Sequence, residues 1–165
     1  MTGAIVWFTG LPASGKSTLA DRVRQRLADI QRPAVILDGD AVRAALGAHS
    51  YGSDDRDTFY RTLAGLAELI ASQGVIALVP ATAPRRAHRE AARRTGYRFF
   101  EVWVRASQAE CEARDVKGLY AAAHRGEITA LPGVNVAYEP PENADVIAEG
   151  GNDDEAAAAI VRMLT

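Results

Sequence analysis

The residues Gly10-Leu11-Pro12-Ala13-Ser14-Gly15-Lys16-Ser17 satisfy the pattern G-x-x-x-x-G-K-[ST] in full. Glycines in such a loop let the backbone curl until its N–H groups converge on phosphate oxygens. The helix that follows adds the positive end of its dipole. Lys16 would reach the β- and γ-phosphates of ATP, and Ser17 would offer its hydroxyl to Mg2+. Gly10, Ala13, Ser14, Gly15, Lys16, Ser17 and Thr18 are thus the expected nucleotide-binding residues, with Ser17 the expected metal ligand. A second group is Asp38-Gly39-Asp40. A carboxylate beside the phosphates can accept the proton of an acceptor hydroxyl or hold metal-bound water. Arg43, one helical turn on, would face an anionic substrate.

These groups need a frame to hold them. Ala4 to Thr9 reads as a strand that runs into the glycine loop, and a helix follows through roughly Ile30. Ala34 to Leu37 reads as a second strand, with Asp40 the expected cap of a short helix through Leu46. Arg56 to Ser72 has helical spacing, Val75 to Val79 reads as a strand, and Pro84 to Arg94 as a very basic helix. Tyr97 to Val104 and Ala144 to Ala148 complete the strands, while Gln108 to Arg114 and Asp153 to Leu164 are the remaining helices. Several strands are almost continuously apolar, as strands covered on both faces must be. The alternation predicts an α/β fold of the P-loop NTPase type. Its core would be a doubly wound, mostly parallel five-stranded sheet with helices on both faces. Residues 1–165 form one expected domain, in which roughly 115–141 is too long for a simple connection and reads as a lid.

The chain has 165 residues, 48% hydrophobic and 24% charged, with a net charge of -2. Disordered and fibrous classes are excluded, and no global basic field draws the chain to nucleic acid. A lone Cys111 excludes an internal disulfide and suits a reducing cytoplasm. Met1 leads straight into the first strand with no basic n-region, so no signal peptide is expected. No apolar run approaches the ~20 residues that cross a bilayer. The chain lacks the Asn-Lys-x-Asp segment of GTPases. Its third strand ends Leu78-Val79-Pro80, without the acidic residue of ATPase motors. An early acid pair and a late lid favour a small-molecule kinase.

Leu37-Asp38-Gly39-Asp40-Ala41-Val42-Arg43 resembles the Asp-Gly-Asp-Asn segment of adenylylsulfate (APS) kinases. Cys111-Glu112-Ala113-Arg114-Asp115-Val116-Lys117-Gly118-Leu119-Tyr120 is similar to a signature of that family. The likeness continues through Gly126-Glu127-Ile128, Gly133 and Tyr138-Glu139-Pro140-Pro141, and spans nearly the whole chain. The resemblance implies transfer of the γ-phosphoryl group of ATP, with Mg2+, to the 3′-hydroxyl of APS, giving PAPS in sulfate assimilation. It implies Asp38 as general base, with Asp40 supporting it or the metal and Lys16 on the phosphates. Arg43 and Arg56 would bind the phosphosulfate or ribose region. Lys117 would neutralise phosphate charge, and Arg114 would lie near the ATP adenine. Family members are commonly dimers, so a homodimer is expected.

The departures from the family fall around the acceptor. Ala81-Thr82-Ala83-Pro84 replaces Phe-Ile-Ser-Pro, so a phosphorylated serine cannot form at Ala83. Tyr51 and Leu131 stand for two phenylalanines that sandwich the APS adenine, and Phe59 stands for an asparagine. Ala41 replaces another asparagine, and His124 an arginine. They raise a second reading, a kinase with the same ATP half and another nucleotide-like or phosphorylated acceptor. A non-catalytic nucleotide-binding domain is a third reading, against which stand Lys16, Ser17, Asp38, Asp40 and Lys117. Arg85, Arg86, His88, Arg89, Arg93 and Arg94 form a basic stretch. It reads either as an anion-collecting rim led by Arg86 and Arg89 or as a solvated helix. Cys111 reads as a packed small residue, Trp7 and Trp103 as core, and the histidines lack metal-ligand spacing.

Overall fold

Alternate side chains of the first strand belong to two different cores, which is why the strand has no polar face. Ala4, Val6 and Phe8 of β1 (Ala4–Thr9) join one buried cluster, and Ile5 and Trp7 join another. The computed structural model describes residues 2–165, so Met1 of the expected 1–165 domain lies outside the described residues. After β1 come α1 (Lys16–Asp29), β2 (Ala34–Ile36), α2 (Gly39–Leu46), α3 (Ser53–Ser72) and β3 (Ile76–Pro80). They are followed by α4 (Arg86–Arg93), β4 (Arg98–Val104), α5 (Gln108–Arg114), α6 (Leu119–His124), β5 (Val146–Ala148) and α7 (Asp154–Leu164).

The five strands form one sheet in the order β2-β3-β1-β4-β5, and every ladder is parallel. Parallel neighbours need crossover connections, and here helices supply them. Leu19 and Leu27 of α1 and Ile160 and Leu164 of α7 cover one face. Leu63 and Ala67 of α3 and Ala92 of α4 cover the other. The loops that leave the C-terminal ends of β1 and β3 therefore head for opposite faces, and they open a cleft at that edge of the sheet. The expected α/β sheet is present, with the whole of it parallel.

Beyond shifts of one or two residues at the ends of several elements, three local features differ from the sequence reading. The cap of α2 is Asp38 rather than Asp40: Asp38 Oδ1 accepts from the N–H groups of Asp40 (3.0 Å) and Ala41 (3.2 Å). The helix begins at Gly39, so only the residue before it has the extended backbone from which a side chain can reach the free N–H groups. The next helix, α3, begins one turn early at Ser53. Asp54 and Asp55 lie in its first turn, where their charge suits the helix dipole. The weakly periodic segment after Asp115 contains α6, whose start is fixed by Asp115. Its carboxylate accepts from Tyr120 N and Ala121 N, both at 3.0 Å.

Candidate active site

The phosphate loop joins β1 to α1 and is held in shape from several sides. Gly15 caps α1 with φ 102°, a left-handed value that glycine adopts without strain. A Cβ there would also collide with the backbone of Gly151, and one on Gly151 would meet the Gly15 carbonyl at 2.7 Å. Lys16 folds over the loop, its Nζ donating to the carbonyls of Gly10 (3.1 Å) and Leu11 (2.8 Å). Burial lowers its pKa to about 8, against the raising pull of Asp40, Cys111 and Asp38. Arg114 donates to the carbonyls of Ala13 (3.2 Å) and Ser14 (3.3 Å), and Tyr120 to that of Pro12 (2.9 Å). Ser14 Oγ is buried without a protein partner, a donor left to the loop's ligand. Thr18 is exposed and lies against Gly151.

The acid pair meets the loop directly. Ser17 Oγ donates to Asp38 Oδ2 at 2.6 Å, while the other oxygen of Asp38 caps α2. One carboxylate thus fixes both the helix that follows it and the serine at the start of α1. Asp40 is exposed and pairs with Lys117 Nζ, which reaches over from the far segment. That bond is the largest influence on Lys117, and it raises its pKa. Lys16, Ser17, Asp38, Asp40 and Lys117 therefore converge at one place, although the sequence scatters them.

The remaining expected substrate residues divide into two groups. Arg43 and Arg56 are buried, each 7% exposed, and Phe59 is buried at 4% beside them. Arg56 Nη2 donates to the Ala130 carbonyl at 2.8 Å, and burial is the main influence lowering its pKa. Tyr51 is half exposed, with Arg43 over its ring. Leu131 does not stand free opposite Tyr51. It packs with Cys111, Tyr120 and Ala123 in a small core that also takes Leu11 and Ala13 of the phosphate loop. Arg86 is tied down as well, its Nε donating to the Pro140 carbonyl (3.1 Å) and its Nη1 pairing with Glu142 (2.9 Å).

The basic stretch does not form an open anion rim. Arg89 is 2% exposed and donates to Glu101 Oε1 (2.5 Å), the Ala83 carbonyl (2.7 Å) and the Glu139 carbonyl (2.8 Å). His88 is buried against the Tyr60 ring and bonds Asp57 at 2.7 Å. Arg85 pairs with Asp57, and Arg93 and Arg94 with Glu90. Charge density alone gave no hint of these partners. The loop after β3 is likewise held from beneath. Trp7 Nε1 donates to the Ala81 carbonyl (3.2 Å), Thr9 Oγ1 to that of Thr82 (2.6 Å), and Ala83 N to Tyr60 Oη (2.9 Å). Thr9, Tyr60 and Gly151 are site-supporting residues that sequence reasoning missed, and Arg89 and Tyr120, singled out there for other reasons, support the site as well. Only the Gly150-Gly151 pair after the last strand carries a local signal.

Among the described residues no cluster of His, Cys, Asp and Glu could hold a metal by itself. No helix there is long and apolar enough to cross a membrane. The sequence profile of the family described as adenylylsulphate kinase matches residues 2–149. The adenylyl-sulfate kinase of Paraburkholderia xenovorans (strain LB400) is 42% identical over 149 residues, 89% of this chain and 83% of that protein. That of Synechococcus sp. (strain JA-3-3Ab) is 43% identical over 146 residues, 88% of this chain and 83% of its own length. The structure of the Mycobacterium tuberculosis APS kinase CysC in complex with AMPPNP and APS superposes with a TM-score of 0.93. It is 40% identical and covers 99% of this chain and 98% of that one.

Proposed function

The chain belongs to the adenylylsulfate kinase family, and from that premise we propose how its residues divide the work of phosphoryl transfer. It is an ATP-dependent kinase that moves the γ-phosphoryl group of ATP to the 3′-hydroxyl of APS, giving PAPS. The observation that carries the proposed division is the 2.6 Å bond between Ser17 Oγ and Asp38 Oδ2. It sets the start of the phosphate-loop helix against the acid pair, so donor and acceptor chemistry share one cleft.

On this reading the loop backbone from Gly10 to Ser17, with Thr18, holds the ATP phosphates. Lys16 supplies positive charge where negative charge moves during transfer. Asp38 takes the proton of the acceptor hydroxyl, and Asp40 supports it by keeping Lys117 close to the transferring group. Two adjacent hard oxygen donors, the Ser17 hydroxyl and the Asp38 carboxylate, suit Mg2+. Ser17 would hold the ion with Asp38 beside it, and the ion would supply charge neutralisation when ATP binds. Arg43 and Arg56 take the acceptor anion, Tyr51 offers its open face to the base, and Arg114 steadies the nucleotide side of the loop. Residues 115–141 act as the lid of a single 1–165 domain. A homodimer and a cytoplasmic location complete the proposal, and mass measurement by light scattering decides the first.

The test is ADP release with Mg-ATP, comparing APS with no acceptor and with a panel of nucleotides and nucleotide sugars. Saturable, APS-dependent release with PAPS as product is expected. Turnover with another acceptor and none with APS would transfer the acceptor half of the proposal to that compound.

A further inference from the structure

Phe59 lies in the first half of α3, where it is buried, yet its ring does more than fill space. The guanidinium carbon of Arg43 sits 3.8 Å over its centroid, and the Tyr51 ring lies 4.5 Å from the same carbon. Two rings contact one cation. Arg43 Nη1 donates to the carbonyls of Ala48 (3.4 Å) and Ser50 (3.3 Å), which uses a minority of its five N–H donors. The hydrogen bonds of Arg43 and Arg56 among the described residues run to backbone carbonyls and not to carboxylates. The two cations also repel each other, an influence that helps to lower the pKa of Arg56. Buried cations without a carboxylate partner are costly unless another group offsets the charge. An aromatic face is such a group, and it grips the plane of a guanidinium while leaving the edge N–H groups free.

Phe59 is itself held. Its ring meets Tyr60 edge-on at 5.3 Å and 66°, and Tyr60 Oη accepts from Ala83 N in the loop after β3. One rigid run therefore links that loop to Arg43 through two rings. A guanidinium held against aromatic rings, with N–H groups left over from its two carbonyl contacts, can present these to the oxygens of an anion.

We propose that Phe59 is a positioning residue for the acceptor: its ring fixes the Arg43 guanidinium, and through Arg43 it sets the affinity for the phosphosulfate of APS. The inference rests on the reading that Arg43 binds the acceptor. It assigns Phe59 to the acceptor half, acting on APS and not on ATP.

Steady-state kinetics on the full chain test it, with the wild type, Phe59→Leu, Phe59→Tyr, Arg43→Ala and the Phe59→Leu/Arg43→Ala double variant. Phe59→Leu is expected to raise KM for APS about tenfold, the scale of a desolvated cation–π contact, and to leave KM for ATP within about twofold. Phe59→Tyr keeps a ring face and restores most of the APS affinity. In the Arg43→Ala background, Phe59→Leu has no further effect on kcat/KM for APS, because the two residues act as one unit. A general packing role would instead move both KM values, or add its full effect in that background, and either result overturns the inference. If Arg43→Ala weakens APS and Phe59→Leu does not, the role of Phe59 alone falls. If Arg43→Ala leaves APS binding unchanged, the reading of Arg43 falls and the inference with it.

Discussion

Lys117 and Asp40 are joined by an ion pair that links the segment after α5 to the start of α2. Both side chains are well exposed, at 64% and 68%, so the pair contributes little to stability. Its value is positional. It brings an ammonium to the edge of the cleft where Ser17 and Asp38 already meet. Lys117→Ala is therefore expected to leave the melting temperature nearly unchanged and to lower kcat by about 10²–10³, the usual effect of removing one preorganised donor. Thermal melts beside single-turnover rates check both halves, and a variant with wild-type kcat refutes the role.

Asp38 has two duties, and two substitutions separate them. Asn keeps a side-chain oxygen that can cap α2, whereas Ala loses the cap as well, at a cost of about 0.5–2 kcal/mol. Asp38→Asn should thus fold as stably as the wild type, bind ATP, and turn over about 10²–10⁴ times more slowly. Asp38→Ala should show the same loss of rate together with a lower melting temperature. Full turnover by Asp38→Asn would remove Asp38 from the role of base.

Lys16 is expected to make nucleotide binding sensitive to alkaline pH. Burial holds its pKa at about 8, below the ordinary 10.5, so between these values the folded chain binds fewer protons than the unfolded one. The destabilisation from burying its charge is complete below about pH 8 and disappears as pH rises towards 10.5, so stability from this group rises across that window. ATP affinity should run the opposite way and weaken above about pH 8, because the phosphates need the ammonium. Calorimetric ATP titrations from neutral to alkaline pH, with Lys16→Ala as control, decide the point. A flat profile in the wild type would contradict it.

Arg89 anchors three segments from the interior. Removing Arg89 from its pair with Glu101, whose side chains are 2% and 11% exposed, leaves the buried carboxylate with only the longer 3.4 Å contact to Arg93 and strips the Ala83 and Glu139 carbonyls of their donor. Arg89→Met is expected to cost about 3–5 kcal/mol. For a chain of this length that is a fall of roughly 10 °C in melting temperature, read by calorimetry. A loss of APS affinity with unchanged stability would instead return Arg89 to the anion-binding rim.

Much of this protein was legible in its sequence because the relevant signals are local. The phosphate loop is carried by consecutive residues, and the apolar runs that became β1, β3 and β4 needed no knowledge of their partners. The signature around Arg114 to Tyr120 identified the family before any contact was known. Capping is also a local matter, but it turned on a single residue, and Asp38 and Asp40 look equally suitable until the backbone of each is known.

Tertiary structure decided which charges meet and which side chains face a ligand. Lys117 and Asp40 lie 77 residues apart, and Arg56 and Ala130 lie 74 apart. Only the order of the parallel strands and the path of the far segment bring them together. The basic helix could not be read correctly from its composition, because a guanidinium looks the same whether it awaits an anion or already holds Glu101. Phe59 and Leu131 looked like losses from an acceptor pocket. Packing gives each another occupation, Phe59 under the Arg43 guanidinium and Leu131 in the small core beside the phosphate loop. Sequence determines the type of each group and its local backbone. The partner that defines its chemistry is set by contacts between distant segments, and these form only when the sheet closes its two cores.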